Sequence, residues 1–155
     1  MANLRKRSKE DRSIAYTDWH REIGPDFPCQ DIDQIEYRII DGKIIPILML
    51  ELTRYDYENE PADQYFNAIL ERFNKSQRKA ATSFAELLGV DCVIVLFKFD
   101  LTRFWLFNLT TDQGWYSLDE DRYKKWLKEH KGRGGADKTP PLRGDIIQIQ
   151  QGERI

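Results

Sequence analysis

At 155 residues the chain has the size of one domain and leaves little room for two. Its residues are 41% hydrophobic and 32% charged, enough for one compact core and against wholesale disorder. A net charge of -2 excludes a polycationic nucleic-acid coat but not a local basic groove, and two histidines with two cysteines, Cys29 and Cys92, argue against a zinc hydrolase and a disulfide-dense scaffold.

Residues 1–8 form a flexible basic lead that lacks the apolar core of a signal peptide. A helix follows, capped by Ser8 or by Thr17. Ile14, Trp19 and Ile23 give it a partial apolar stripe, and Gly24-Pro25 ends it. Residues 32–40 alternate, with Asp33, Ile35, Tyr37 and Ile39 on one face and Gln34, Glu36 and Arg38 on the other, as in a half-buried strand. Asp41-Gly42 signals a hairpin. Residues 44–53 are apolar on both faces and predict a central strand, with Pro46 near its start. Its longest nearly unbroken apolar run, from Ile44 to Leu50, is far too short to cross a bilayer, so no membrane role is expected.

Pro61 suits the start and Gly89 the end of one long helix, with Phe66, Ile69, Leu70, Phe73, Ala80, Phe84, Leu87 and Leu88 as its buried stripe. Residues 91–99 and 102–110 predict two more strands. Phe104, Trp105 and Phe107 are expected in the core, while Trp115 and Tyr116 are left open to a surface position. Ser117 and Glu120 match a capping box for a last helix, anchored by Trp126 and Leu127 and ending before Gly132. The expected organisation is a single domain over 9–131 and a partly mobile tail over 132–155, in which 146–149 offers a short edge strand. The element order predicts an α+β fold, a mixed central sheet of at least four strands flanked by helices.

The first hairpin holds the candidate chemistry. A three-residue loop, 41–43, sets Ile40 against Ile44 and Asp33 against Glu51, with both carboxylates on one face. A two-residue loop sets Glu51 opposite Ile32 and turns it away, unless a bulge restores the register. Two adjacent carboxylates are costly to bury without a cation. They suit Mg²⁺, which takes hard oxygen ligands and keeps several waters.

On these residues the segment resembles the PD-(D/E)XK nuclease superfamily. Its members carry an acid early in one strand, Asp/Glu-x-Lys on the neighbouring strand, and then a helix. Asp33 and Glu51-Leu52-Thr53 occupy those positions. The runs Trp19-His20-Arg21, Asp31-Ile32-Asp33 and Ile35-Glu36-Tyr37 look like small phage and bacterial branches. The resemblance covers about the first two-thirds of the chain, and its motif is short and degenerate.

It implies a restriction-endonuclease-like core and a cytoplasmic, bacterial or phage-encoded nuclease acting on DNA. Mg²⁺ or Mn²⁺ would be held by Asp33, Glu51 and the Leu52 carbonyl. It also implies a possible homodimer. Glu22 matches an acidic residue that many members place on the first helix, and Gln77 a glutamine that reaches the site in some branches. The tyrosine that accompanies that glutamine is here Ala81.

The departure that matters most is Thr53, where the motif has lysine. Threonine orients a water but brings no charge. Arg54 should point to the opposite face, so a replacement cation would come from Lys75, Arg78 or Lys79 on the following helix. Loss of the lysine also supports a second expectation, a degenerate nuclease-fold module that binds nucleic acid or a partner protein. Blander readings stand beside these. Asp33 suits a strand start, Glu51 a salt bridge to Arg54 or Arg72, Gln77 a buried amide, and Glu22 and His20 a helix surface. The basic clusters on the lead and on the last helix suit solvated faces.

Overall fold

The Asp41-Gly42 turn sets the first part of the sheet. In a computed structural model, which describes residues 9–26, 32–74, 77–130 and 145–147 (side chains of 9–13, 77 and 145–147 excepted), both turn residues have positive φ, 52° and 74°. A two-residue hairpin needs that twist, and glycine adopts it without strain. The turn joins β1 (Gln34–Ile40) to β2 (Lys43–Tyr55), with Ile40 opposite Lys43, so the loop is the two-residue one.

The pairing then slips. Tyr37 lies opposite Pro46, but Glu36 lies opposite Leu48. Ile47 is the extra residue of a β-bulge, and it and Leu48 both enter the same core. Pro46, which has no N–H for the ladder, sits beside the interruption. Beyond the bulge Gln34 faces Leu50, so one residue further Asp33 comes level with Glu51. The bulge thus restores the register that a three-residue loop would have given.

β2 pairs in parallel with β3 (Asp91–Lys98), and a parallel pair needs a crossover. The crossover is helical, where one long helix was expected over 61–89; 75–76, inside that range, lie outside the described residues. It consists of α1 (Asp63–Asn74) and α2 (Gln77–Leu88). Asn74 is the last described residue of the first, and its side chain accepts from Arg78 Nη1 at 3.0 Å. The first helix buries Phe66, Ile69 and Phe73 as expected, but the stripe changes phase in the second. The second helix buries Ala81 and Ala85, whose small side chains allow a close approach to the sheet, and leaves Phe84, Leu87 and Leu88 exposed. Gly89 ends it at φ 69°, as expected. Its N–H reaches Glu86 O at 3.0 Å while Val90 N–H reaches Ala85 O at 2.9 Å, the paired bonds of a Schellman cap.

β4 (Arg103–Asn108), β5 (Trp115–Asp119) and β6 (Asp145–Ile147) follow in antiparallel order, giving a six-stranded sheet in sequence order. β5 was not expected. It buries Trp115 and takes in Ser117, so Ser117 is not a helix cap. The cap of α3 (Glu120–Glu129) is Asp119, whose carboxylate accepts from Arg122 N at 2.8 Å. β6 falls where a short edge strand was expected; the rest of the expected tail lies outside the described residues.

One sheet face meets the crossover helices in a core that includes Met49, Ile94, Trp105 and Trp115. The other meets α3 in a core that includes Leu48, Val93, Leu106 and Trp126. This is the expected α+β class, a mixed sheet flanked by helices.

β1 differs from expectation. It alternates as predicted, but Ile35, Tyr37 and Ile39 are exposed, whereas Glu36 and Arg38 are partly buried. Arg38 donates to the Leu127 carbonyl of α3 and pairs with Glu36 at 3.8 Å, which draws the polar face toward that helix.

The chain divides into two units, 1–31 and 32–155. The first holds a helix, Lys9–Arg21; Ile14, Trp19 and Ile23, expected as its apolar stripe, are exposed. No helix among the described residues is long and apolar enough to cross a membrane.

Candidate functional site

Asp33 lies just before β1, where the ladder with β2 ends. Its carboxylate continues the ladder, with Oδ2 accepting from the Leu52 N–H at 2.7 Å. A charged acceptor on a backbone N–H makes one of the stronger hydrogen bonds. It fixes the carboxyl at the level of Glu51 while Asp33 itself stays exposed. The bland role of a strand-end acceptor and the role of a ligand therefore use the same geometry.

Glu51 is 6% exposed on the β2 face that carries Met49 and Tyr55, toward the crossover helices. Its negative charge reaches the buried Cys92 of β3. Burial, with the charges of Glu51 and Asp91 adding to it, pushes that thiol up to about 12. Cys92 is therefore a neutral, inert neighbour rather than a nucleophile.

Thr53 is two residues further along the same face. Arg72 of α1 donates from Nη2 to Thr53 Oγ1 at 3.4 Å. A cation thus lies at the position where the motif has lysine. From the sequence, Arg72 is expected only as a salt-bridge partner for Glu51. The available signal was its place beside Phe73, whose burial turns that side of α1 to the sheet. Tyr65, seven residues earlier on the helix, shares this environment: burial pushes its phenol up, and Arg72 pulls it down.

The other candidate cations point elsewhere. Arg54 is exposed and pairs with Asp56 at 2.6 Å, so it does face away from Thr53 as expected. Arg78 pairs with Asp112 at 3.2 Å beside the β4–β5 connection. Lys79 is exposed. Lys75 and the side chain of Gln77 lie outside the described residues; Gln77 is the first residue of α2. In the first unit Glu22 is exposed, and His20 lies 6.0 Å from Tyr16 and 6.5 Å from Trp19, ring to ring.

Among the described residues no group of three or more His, Cys, Asp and Glu converges. A metal here would rest on two carboxylates, a number that Mg²⁺ commonly uses when substrate phosphate and water complete its shell. A cleft of about 300 Å³ at the start of α1, lined by Glu60, Asp63 and Arg103, includes none of these residues.

A second polar group, missed in the sequence, lies on the α3 face of the sheet. Asp91 is buried and accepts from Asn108 Nδ2 at 3.0 Å. His130, at the end of α3, is buried as well. Burial holds its pKa below the usual 6.5, with the Asp91 charge opposing and Arg38 assisting.

No family model, curated protein or solved structure matches the chain.

Proposed function

We propose that the chain is a metal-dependent nuclease that hydrolyses phosphodiester bonds of DNA, with a restriction-endonuclease-like core of the PD-(D/E)XK type. The observation that carries this reading is the 2.7 Å bond from Leu52 N–H to Asp33, which brings an exposed carboxylate level with buried Glu51. Asp33, Glu51 and the Leu52 carbonyl would hold Mg²⁺ or Mn²⁺, which supplies Lewis-acid polarisation of phosphate and a water of lowered pKa. The chain's own groups do the rest. Thr53 orients the attacking water through its hydroxyl. Arg72 replaces the motif lysine: one N–H holds Thr53, and the remaining donors of its guanidinium meet the charge that grows on phosphate. Gln77 is kept as a further donor on the resemblance alone.

The test is the double change Asp33→Ala and Glu51→Ala. Metal-dependent cleavage should disappear while cooperative melting is retained. Cleavage that survives in the folded variant would contradict the assignment.

The second reading is a nuclease-fold module that binds nucleic acid or a partner protein without cutting. Thr53 favours it, since it stands where the motif has its lysine. Mn²⁺ separates the two: a functional pair gains thermal stability from the ion by mass action, and a degenerate one does not.

A further inference from the structure

Among the described residues β1 is paired on one side only, and its edge carries neither proline nor lysine, the residues that commonly block edge pairing. Its hairpin exposes large apolar side chains on both faces: Ile35, Tyr37, Ile39 and Ile44 in a strip on one, Ile40 and Ile45 on the other. An apolar strip of this kind suits an interaction site. The opposite face of the same strand carries one acid and one base two residues apart, Glu36 and Arg38, both only partly exposed.

We propose that the β1 edge binds a second copy of this chain, antiparallel and about a two-fold axis through Tyr37. Charge selects that register. Residues paired across such an axis share a sheet face, so the best-overlapping registers centre on Glu36, Tyr37 or Arg38. Centring on Glu36 sets Glu36 against its own copy, and centring on Arg38 does the same with two arginines. Like charges directly opposite are unfavourable. Centring on Tyr37 sets Glu36 of each copy against Arg38 of the other, twice. The same register lays Ile35 on the partner's Ile39 and stacks the two Tyr37 rings in one apolar strip on the other face. The bulge residue, Ile47, is on β2, so β1 itself keeps an unbroken run of seven residues for pairing. The two sheets become one continuous sheet, and the edge is removed from solvent.

The experiment is analytical ultracentrifugation of the full chain across concentrations up to about 100 µM, since a small strand edge fits micromolar association. The wild type should be a dimer that dissociates on dilution. Ile39→Lys should weaken it at least about tenfold with unchanged melting, because Ile39 is 69% exposed in the monomer. Arg38→Glu and Glu36→Arg should each be monomeric alone. Mixed one to one, they should form a heterodimer, since each acid then faces a base. A wild type that stays monomeric overturns the proposal, as does a dimer indifferent to Ile39→Lys or a folded pair of charge variants that fails to associate on mixing. Should Arg38→Glu fail to fold through loss of its bond to Leu127, Ile39→Lys decides alone.

Discussion

In the proposed site Thr53 and Arg72 divide between them what one lysine would do. A lysine on the strand would bring hydrogen-bonding nitrogen and charge together. Here the strand gives a hydroxyl, and the helix gives the guanidinium at 3.4 Å. Arg72→Ala should therefore lower kcat for cleavage by about 10²–10³, the usual loss for one transition-state donor, with the melting temperature nearly unchanged. Arg72→Lys should recover part of it, because the charge returns without the planar fork. Equal rates in Arg72→Ala and wild type would remove Arg72 from the mechanism. That Asp33 and Glu51 could meet was legible from strand alternation as one of two registers. Arg72 was not, because its role depends on where α1 lies over β2, which no local pattern records.

His130 makes a separate prediction at the same scale. Its pKa is lowered in the fold, mainly by burial, so the folded chain disfavours the proton. As pH falls through about 6.5, the unfolded chain binds that proton first and stability declines until the lowered folded value is passed. Above that range the contribution is intact. Urea unfolding at a series of pH values should show this acid-side decline, and His130→Gln should flatten it. An identical pH dependence in the variant would show that His130 is not the group responsible.

Among the elements, the hairpin decides whether a site exists at all. The two-residue turn alone would leave Glu51 opposite Ile32; the bulge at Ile47 shifts the later pairs by one and brings Asp33 level with it. The sequence posed that choice without resolving it, since a bulge has no period of its own. The buried stripe of the crossover departs from expectation for a related reason. Apolar spacing selects Phe84, Leu87 and Leu88 in its second half, and the observed phase follows only from Ala81 and Ala85 being buried. The false capping box at Ser117 and Glu120 arose because a five-residue strand is too short to announce itself. Gly89 was legible, because a helix end in the left-handed region selects glycine. Gly89→Ala should cost about 1 kcal/mol and lower the melting temperature by about 2–4 °C; no change would mean that the cap is not under that constraint.

For the whole molecule, composition and element order were enough for the class, a mixed sheet with helices on it, because alternation and turn residues are local signals. Burial at the sheet edge was not, and β1 exposes the apolar face that a half-buried strand would hide. That inversion leaves the edge open to a second copy while the strand-end carboxylates stay accessible from solvent at Asp33. The central claim is that these carboxylates make a metal-dependent nuclease. The measurement that tests it most directly is cleavage of labelled single-stranded, duplex and branched DNA by the full chain, with Mg²⁺, with Mn²⁺ and with a chelator, beside a Glu51→Gln control. The account predicts cleavage of at least one substrate that requires the metal and is lost in the control. No cleavage of any of them, together with no rise in melting temperature on adding Mn²⁺, would contradict it and favour the binding module.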